Sequence, residues 1–298
     1  MRLVLPSGQT IGTDRLISGF FRTDCTPIVA SLEFQCTLDE DLDAALHEGS
    51  TVTLGDQYIE FTIIKRRVVS GQFIKDGKPI NVGAYIAVLS GMEKLIEPSV
   101  KAIFLKDSTI GAAFRASGNK LKVAEDVPLL RYFCPLGATP TYEIARKFQE
   151  EAATAFCNLK GQIIVKRLSN ITDGEAKLTV DNSAVNWIEN STQLNHDMPN
   201  FVTLNPDGST LEGTLKPGVK TGFYPGLDAR RLKNLSTALV TRGTLMRAYT
   251  PDILAGDIIQ VGDKKYSILT AVSRFDTGIL GGSSVSATKF WLAEVVSL

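Results

Sequence analysis

The sequence has no run of about 18 or more apolar residues, so it offers no helix long enough to cross a bilayer. Its N-terminus, Met1-Arg2-Leu3-Val4-Leu5-Pro6-Ser7-Gly8, has a short apolar stretch broken by Pro and Gly, and lacks the long apolar segment of a secretory leader. Folding in a cytoplasm is the expectation. There is no excess of either charge: 32 Lys and Arg balance 32 Asp and Glu. A strong nucleic-acid binder normally carries a basic excess or stripe, and the short runs Lys65-Arg66-Arg67 and Arg230-Arg231 read as solvated faces. Zero net charge gives little colloidal protection against association, which a subunit built to assemble tolerates.

Signatures of chemistry are missing too. The histidines are two, His47 and His196, far apart and outside any ligand-like cluster. Cys25, Cys36, Cys134 and Cys157 include no pair at the two-residue spacing of a zinc knuckle or redox motif, so buried free thiols are expected. No GxSxG, HExxH, P-loop or Rossmann glycine pattern occurs. His47 sits beside Glu48 after the acidic run Asp39 to Asp43 and reads as a surface histidine. His196-Asp197 reads as a loop dipeptide before Met198-Pro199. Gly281-Gly282-Ser283-Ser284 fits a hairpin loop between two terminal strands better than a phosphate cradle. Glycoside hydrolysis needs two carboxylates facing a cleft, whereas Glu40, Asp41 and Asp43 read as a charged loop. Trp187 follows Val185, and Trp291 alternates with Ala293 and Val295, so both tryptophans read as packed rather than as sugar-stacking platforms. The sequence therefore points to no catalytic, cofactor-binding or metal residues, and to a protein that is not an enzyme.

What is present is β structure. At 298 residues the chain has room for about two domains of about 150 residues. Leu32 to Leu38 alternates apolar and polar residues, the period-2 pattern of a half-buried strand. Thr51 to Leu54 does the same, Gly55-Asp56 makes a turn, and Ile59, Phe61 and Ile63 then share one face, so residues 51–69 form a hairpin. A strand from Val82 to Leu89 follows the Asp76-Gly77 turn. After Pro98 the pattern changes. Asp107 to Ala116 fits a short helix capped by Asp107 or Ser108, with Ile110 and Phe114 on one face. Thr139-Pro140 begins a stronger helix, with Thr139 at the N-cap and Pro140 at the first helical position. Its apolar stripe runs Ile144, Phe148, Ala152, Ala155, its polar face holds Arg146, Lys147, Glu150 and Glu151, and it should end near Cys157-Asn158. A strand from Gln162 to Leu168 follows Gly161. From about Ser183 strands return: Phe201 to Leu204 and Thr210 to Leu215 flank the Asn205-Pro206-Asp207-Gly208 turn. A helix over Asp228 to Arg242 turns Leu232, Leu235 and Leu239 inward, and strands follow at Ile258 to Val261, Tyr266 to Val272 and Lys289 to Val296.

The two β regions repeat one another weakly. Gly49-Ser-Thr-Val-Thr-Leu-Gly-Asp-Gln-Tyr58 matches Gly256-Asp-Ile-Ile-Gln-Val-Gly-Asp-Lys-Lys-Tyr266 at Gly49/Gly256, Gly55/Gly262, Asp56/Asp263 and, after a one-residue insertion, Tyr58/Tyr266. Each copy is a strand, a Gly-Asp turn and a longer returning strand. Gly-Asp turns recur in any β protein, because they require only a residue that tolerates positive φ. The position of each copy, in its own β region on either side of the helical segment, favours a duplicated barrel. Heterologous contacts that close on themselves form rings, and three such chains would place six barrels around an axis.

The segment Pro251-Asp-Ile-Leu-Ala-Gly-Asp-Ile-Ile-Gln-Val-Gly-Asp-Lys-Lys-Tyr-Ser-Ile-Leu-Thr-Ala-Val272 resembles the last barrel of the tail hub family. That family includes baseplate hubs of contractile-tailed phages, late control D proteins and the hub part of type VI secretion spikes. Thr139 to Arg146 followed by Gly161 to Arg167 is similar to the family's helix, glycine turn and strand, and the order barrel, α/β insert, barrel covers nearly the full chain. The resemblance implies a mainly β fold in which two tail-tube-like antiparallel β-barrels, at residues 1–98 and 183–298, flank a small α/β insert at 99–182. It implies a homotrimeric ring of pseudo-six-fold symmetry that joins a hexameric tail tube or distal tail ring to a trimeric central spike, among other baseplate proteins. DNA would pass through the lumen without specific binding, and the protein would sit in the virion tail after assembly in the host cytoplasm. The chain ends at Leu298 without the needle-like extension of the secretion-system members, so a separate spike protein is expected at the tip. No catalytic residue or cofactor is carried over. Two other readings remain: a distal tail or tail tube protein forming a hexameric ring, and a carbohydrate-binding β-module of the tail tip.

Overall fold

In the computed structural model, strands hold 49% of the chain and helices 15%, and the described residues are 1–55, 59–75, 77–188, 199–213, 215–279 and 283–297. The first β region runs β1 (Leu3–Val4), β2 (Thr10–Ile11), β3 (Leu16–Asp24), β4 (Ala30–Leu38), α1 (Glu40–Ala45), β5 (Thr51–Leu54), β6 (Ile59–Lys75) and β7 (Lys78–Leu89). The middle region runs β8 (Ile103–Thr109), α2 (Ile110–Ala116), β9 (Val123–Glu125), β10 (Pro128–Cys134), α3 (Pro140–Glu151), β11 (Ala153–Cys157) and β12 (Ile163–Arg167). The rest comprises β13 (Leu178–Val180), β14 (Asn186–Trp187), β15 (Asn200–Leu204), β16 (Thr210–Glu212), β17 (Thr221–Phe223), α4 (Ala229–Asn234), β18 (Thr237–Ala248), β19 (Ile258–Val261), β20 (Lys264–Asp276) and β21 (Val285–Ser297).

The expected antiparallel β regions are present, but neither closes as a barrel of its own. They are parts of one 13-stranded sheet whose order is β14-β18-β21-β20-β3-β4-β7-β6-β5-β1-β2, with β19 on β20 and β13 on β19. The seam is the antiparallel pairing of Thr270–Asp276 with Ser18–Asp24. Side chains lock both ends of it. Thr270 donates to Asp24 (2.6 Å), the Ala255 amide donates to the Thr23 hydroxyl (2.9 Å), and the Thr277 hydroxyl donates to the Leu16 carbonyl (2.8 Å).

The hairpin repeat is preserved in strand register. β5 pairs with β6 from Thr51↔Thr62 to Leu54↔Ile59, and β19 pairs with β20 from Ile258↔Ser267 to Val261↔Lys264. Gly49 and Gly256 both hold φ near +90° (+90° and +85°), the left-handed region that glycine enters without strain. In the first copy the Gly49 amide donates to the Ile63 carbonyl and the Ile63 amide to Ser50; in the second, Gly256 donates to Ile268 and Ile268 to Asp257. Beyond these bonds each long strand carries a register shift, between Ile63 and Lys65 against β7 and between Ile268 and Thr270 against β21. The register makes Tyr266 the counterpart of Phe61; Tyr58, with which the sequence matched it, lies with Asp56 outside the described residues. The expected insertion sits in the wrong copy, because Gly262-Asp263 is a tight two-residue turn (Gly262 φ +58°) while four residues separate Leu54 from Ile59.

Several element boundaries differ from expectation. Asp107 and Ser108 belong to β8, and α2 is capped by the Thr109 hydroxyl, which accepts from the Ala112 amide (3.1 Å). Helix α3 starts at Pro140 after Thr139 as expected but stops at Glu151, where Ala152 turns left-handed (φ +45°), and Ala153–Cys157 is a strand. The expected continuation of the apolar stripe is therefore the left-handed cap Ala152 and, at Ala155, a fully buried strand, whose short apolar run periodicity cannot separate from helix. Helix α4 ends at Asn234, and 237–248 is β18; the β-branched Thr237, Val240 and Thr241 with Gly243 favour strand over the leucine spacing. The acidic run is also helical: Asp39 caps α1 by accepting from Leu42 (2.9 Å), a bond that holds its carboxyl below the usual range.

One buried cluster extends from Leu3 and Phe21 through Phe61 and Tyr85 to Phe114, Ile144, Phe148 and Val165, so the middle region shares its core with the first β region. A second cluster, with Ile259, Tyr266, Ile268, Phe290 and Leu292, fills the last β region. Between them Cys25, Phe156, Leu168, Ile171 and Ala255 pack together. All four cysteines are free and buried, as expected. Burial raises each thiol above its usual 9.0, to about 12 for Cys36 and for Cys157.

Glu151, expected on a polar face, is fully buried. Its carboxylate takes Arg231 Nε at 2.7 Å, Arg230 at 2.8 Å and Arg167 at 3.3 Å. Arg231 is itself 7% exposed and also binds Asp228 (2.6 Å), so of the expected solvated pair only Arg230 faces solvent. The cluster ties the end of α3 to β12 and α4.

Removing the buried carboxylate of such a cluster acts chiefly on its buried arginine, Arg231. Glu151→Ala should destabilise the protein by about 3 kcal/mol, because buried Arg231 loses its buried carboxylate and keeps only the half-exposed Asp228; Glu97→Ala, at an exposed pair with Lys94, should cost under about 1 kcal/mol. Urea unfolding of both variants measures this, and equal small losses would contradict it. The raised thiols carry a second prediction. In the folded protein they stay protonated well above 9.0, while unfolded thiols ionise there, so folding holds the extra protons and stability falls as pH rises from 9 towards 12. Unfolding midpoints at pH 8 and pH 10, compared with those of Cys36→Ala, test it: the variant should lose less.

Candidate functional site

Among the described residues no cleft collects reactive groups. Among the described residues no group of three or more His, Cys, Asp or Glu is placed to hold a metal. His47 is exposed on the turn after α1, with Nδ1 3.0 Å from the Glu48 carbonyl. His196 and Asp197 lie outside the described residues, as do Gly281 and Gly282. Trp187 is half-buried, its ring 5.5 Å from that of Tyr266 and its Nε1 donating to the Asn182 carbonyl (3.2 Å). Trp291 is half-buried too, but on the face opposite the core residues Phe290 and Leu292, with the Lys289 ammonium 4.8 Å above its ring. Its expected place in the core is thus taken by its two neighbours, because strand alternation puts only one of each adjacent pair inside.

The features left to work with are the sheet's outer face and its edges. Register aligns Lys65 and Arg67 of β6 with Ile86 and Ala84 of β7, these with Glu33 and Gln35 of β4, and these with Phe20 and Ser18 of β3. Across the seam the row continues through Arg274 and Asp276 of β20, and Lys289 of β21 shares the face with Val272. The face is mixed in charge and partly compensated by ion pairs. Arg22 pairs with Asp24 (2.5 Å), Arg274 pairs with Asp276 (3.4 Å) and lies 5.5 Å above the Phe20 ring. The run Lys65-Arg66-Arg67 is divided between two faces: Arg66 pairs with Asp43, and Lys65 and Arg67 border the shallow groove over Phe20 and Tyr85.

The edges are unequal. In β6 the side facing β5 is paired only as far as Ile63 among the described residues, although the strand continues to Lys75. The Arg66 amide on that side is taken by the Glu48 carboxylate (3.2 Å). At the other end of the sheet β14 pairs with β18 through Asn186↔Thr244 and Trp187↔Gly243, and its outer side has no partner strand among the described residues. Sequence patterns found several of the strands, but not Leu16–Asp24 or Thr237–Ala248, and not these edges, since which strand ends a sheet depends on long-range pairing.

No known family's sequence profile matches the chain, and no curated protein matches it in sequence. Solved structures do match. A tail protein from Neisseria meningitidis MC58 aligns with TM-score 0.63 at 12% identity over 98% of this chain and 95% of that one. The 43 kDa tail protein of prophage MuSo2 from Shewanella oneidensis aligns with TM-score 0.64 at 12% identity over 99% and 98%. An Escherichia coli component of the type VI secretion system, described as similar to the T4 bacteriophage tail proteins gp27 and gp5, aligns with TM-score 0.58 at 9% identity over 100% of this chain and 77% of that one. At these identities the likeness is one of fold, and it spans the whole chain: the protein has the fold of phage tail proteins, shared with a gp27-like component of type VI secretion.

Proposed function

We propose that this protein is a structural baseplate hub of a phage tail or phage-derived injection machine, acting as a homotrimeric ring of pseudo-six-fold symmetry. The observation that carries the reading is the duplicated unit. β4, β5, β6 and β7 recur as β18, β19, β20 and β21 with the same neighbours and the same register shift, so three copies present six similar units. Such a ring meets a six-fold tube or distal tail ring on one side and a three-fold central spike on the other, with other baseplate proteins around it. In this reading the chain divides into tube-like parts at 1–98 and 183–298 around an α/β insert at 99–182. It carries no catalytic site or cofactor, and its place is the virion tail, after assembly in the host cytoplasm.

The face bearing Arg22, Glu33, Lys65, Arg274 and Asp276 lines the lumen in this reading, because the opposite face is filled by the core. Its ion pairs Arg22–Asp24 and Arg274–Asp276 limit how tightly it would hold passing DNA, since affinity for the backbone grows with each unneutralised cation. A hexameric ring of single modules is less favoured, because one chain already holds both units. A carbohydrate-binding module is less favoured because Trp187 and Trp291 lie along strands, half-covered, rather than on loop tips.

Mass measurement of the purified protein in solution tests the reading. The expected result is a concentration-dependent trimer. A hexamer would point to a tube or distal tail ring instead, and a monomer at every concentration would contradict the ring.

A further inference from the structure

The seam inside the chain indicates what belongs on the chain's open edges. Offsets within the duplicated unit are constant. Residues 65–69 of β6 pair with 86–82 of β7 as residues 270–274 of β20 pair with 291–287 of β21, so Lys65 corresponds to Thr270, Arg67 to Val272, Val68 to Ser273 and Val69 to Arg274. Likewise Leu32↔Ala87 and Phe34↔Tyr85 in the first unit correspond to Gly243↔Leu292 and Leu245↔Phe290 in the second. On the far side of these strands, Phe20↔Glu33 and Phe21↔Leu32 correspond to Asn186↔Thr244 and Trp187↔Gly243. Strand β14 is therefore the second unit's counterpart of β3.

In the chain, β3 is held by β20, through Arg22↔Val272, Phe21↔Ser273, Phe20↔Arg274 and Gly19↔Phe275. The counterpart of that pairing would join β14 to β6, and it is absent within the chain among the described residues. The two strands end an eight-strand path, β14-β18-β21-β20-β3-β4-β7-β6. From this we infer that a second copy of the chain supplies it: β14 of one copy pairs antiparallel with the outer edge of β6 in the next, in the register Arg67↔Ile188, Val68↔Trp187, Val69↔Asn186 and Ser70↔Val185. The inference rests on the ring reading above and specifies its joint.

Hydrogen-bond direction agrees at both edges. The Arg66 amide points outward from β6 to Glu48, so by strand alternation the main-chain groups of Val68 and Ser70 point outward as well. The Ile188 amide points inward, to the Arg242 carbonyl (2.9 Å), so those of Trp187 point outward. Val68 and Trp187 are thus a matched hydrogen-bonding pair, as Phe21 and Ser273 are at the seam. Val68 is 38% exposed, and a bare strand edge of this length invites uncontrolled pairing unless a partner covers it. The operation that carries the first unit onto the second across the seam carries the second onto the next copy's first, so a single kind of joint repeats around a closed ring.

Val69 and Asn186 fall at a non-hydrogen-bonded position, where Cα atoms in an antiparallel pair approach to about 4.5 Å, within disulfide reach. The test is the double variant Val69→Cys with Asn186→Cys, oxidised in dilute solution and run on a denaturing gel without reductant, beside each single variant. The expected result is covalent dimers and trimers from the double variant alone, lost on reduction. A trimer by mass with no bridge would leave the ring reading standing and overturn this joint. A monomer by mass would overturn both. A bridge within one chain would overturn the joint by showing that the eight-strand path closes on itself.

Discussion

The architecture depends on the main-chain pairing of β3 with β20. Strand pairing is the interaction that a duplicated β protein must place somewhere, because each unit leaves an edge of unpaired amides and carbonyls. Here the first unit's opening strand is spent on the second unit's longest strand over Ser18–Asp24. Thr23, Asp24, Thr270 and Thr277 then fix its register from both ends. The result is one sheet rather than two barrels, with the core divided into a cluster behind each unit and the Cys25–Phe156–Ala255 contact behind the seam. The units cannot rotate freely against one another, so their relative angle is set by the chain itself. A ring built from such a subunit inherits that angle.

Much of this was legible in the sequence because strands declare themselves locally. Alternation located β4, β5, β6 and β7, and the Gly49/Gly256 match located the duplication, since both positions hold left-handed backbone that glycine enters without strain. Gly55, by contrast, has no positive φ and does not match Gly262 in conformation. What was not legible is what depends on distance in space. Nothing local separates Ala153–Cys157 as strand from the end of a helix, because a fully buried strand has no polar face to give it a period of two. Leu232, Leu235 and Leu239 mimic a helical stripe, yet Leu239 lies in β18. The barrel expectation failed at its last step for the same reason: closure is a matter of which edges meet, and the edge of β20 meets β3.

The candidate site was legible mostly as an absence. Composition and missing motifs argued against catalysis, but the face and edges on which the proposed role rests could not be read from them. Two charged segments were misjudged in instructive ways. Glu151 sits at a helical position that faces solvent in a simple wheel, yet α4 folds over it and brings Arg230 and Arg231 to within 2.8 Å and 2.7 Å. Lys65-Arg66-Arg67 read as one solvated face, but strand alternation sends Arg66 to Asp43 and leaves its neighbours on the opposite face, beside a groove that also holds Glu33. Charge in a β protein acquires meaning only once pairing partners are known.

The central claim is that one chain supplies two quasi-equivalent units whose repetition closes a ring. Electron cryomicroscopy of the assembled protein, reconstructed without imposed symmetry, addresses it most directly. The account predicts a ring of three chains showing six similar lobes and a continuous inner sheet around the lumen. A ring of six whole chains, or an open assembly in which the two units of each chain occupy unrelated environments, would contradict it.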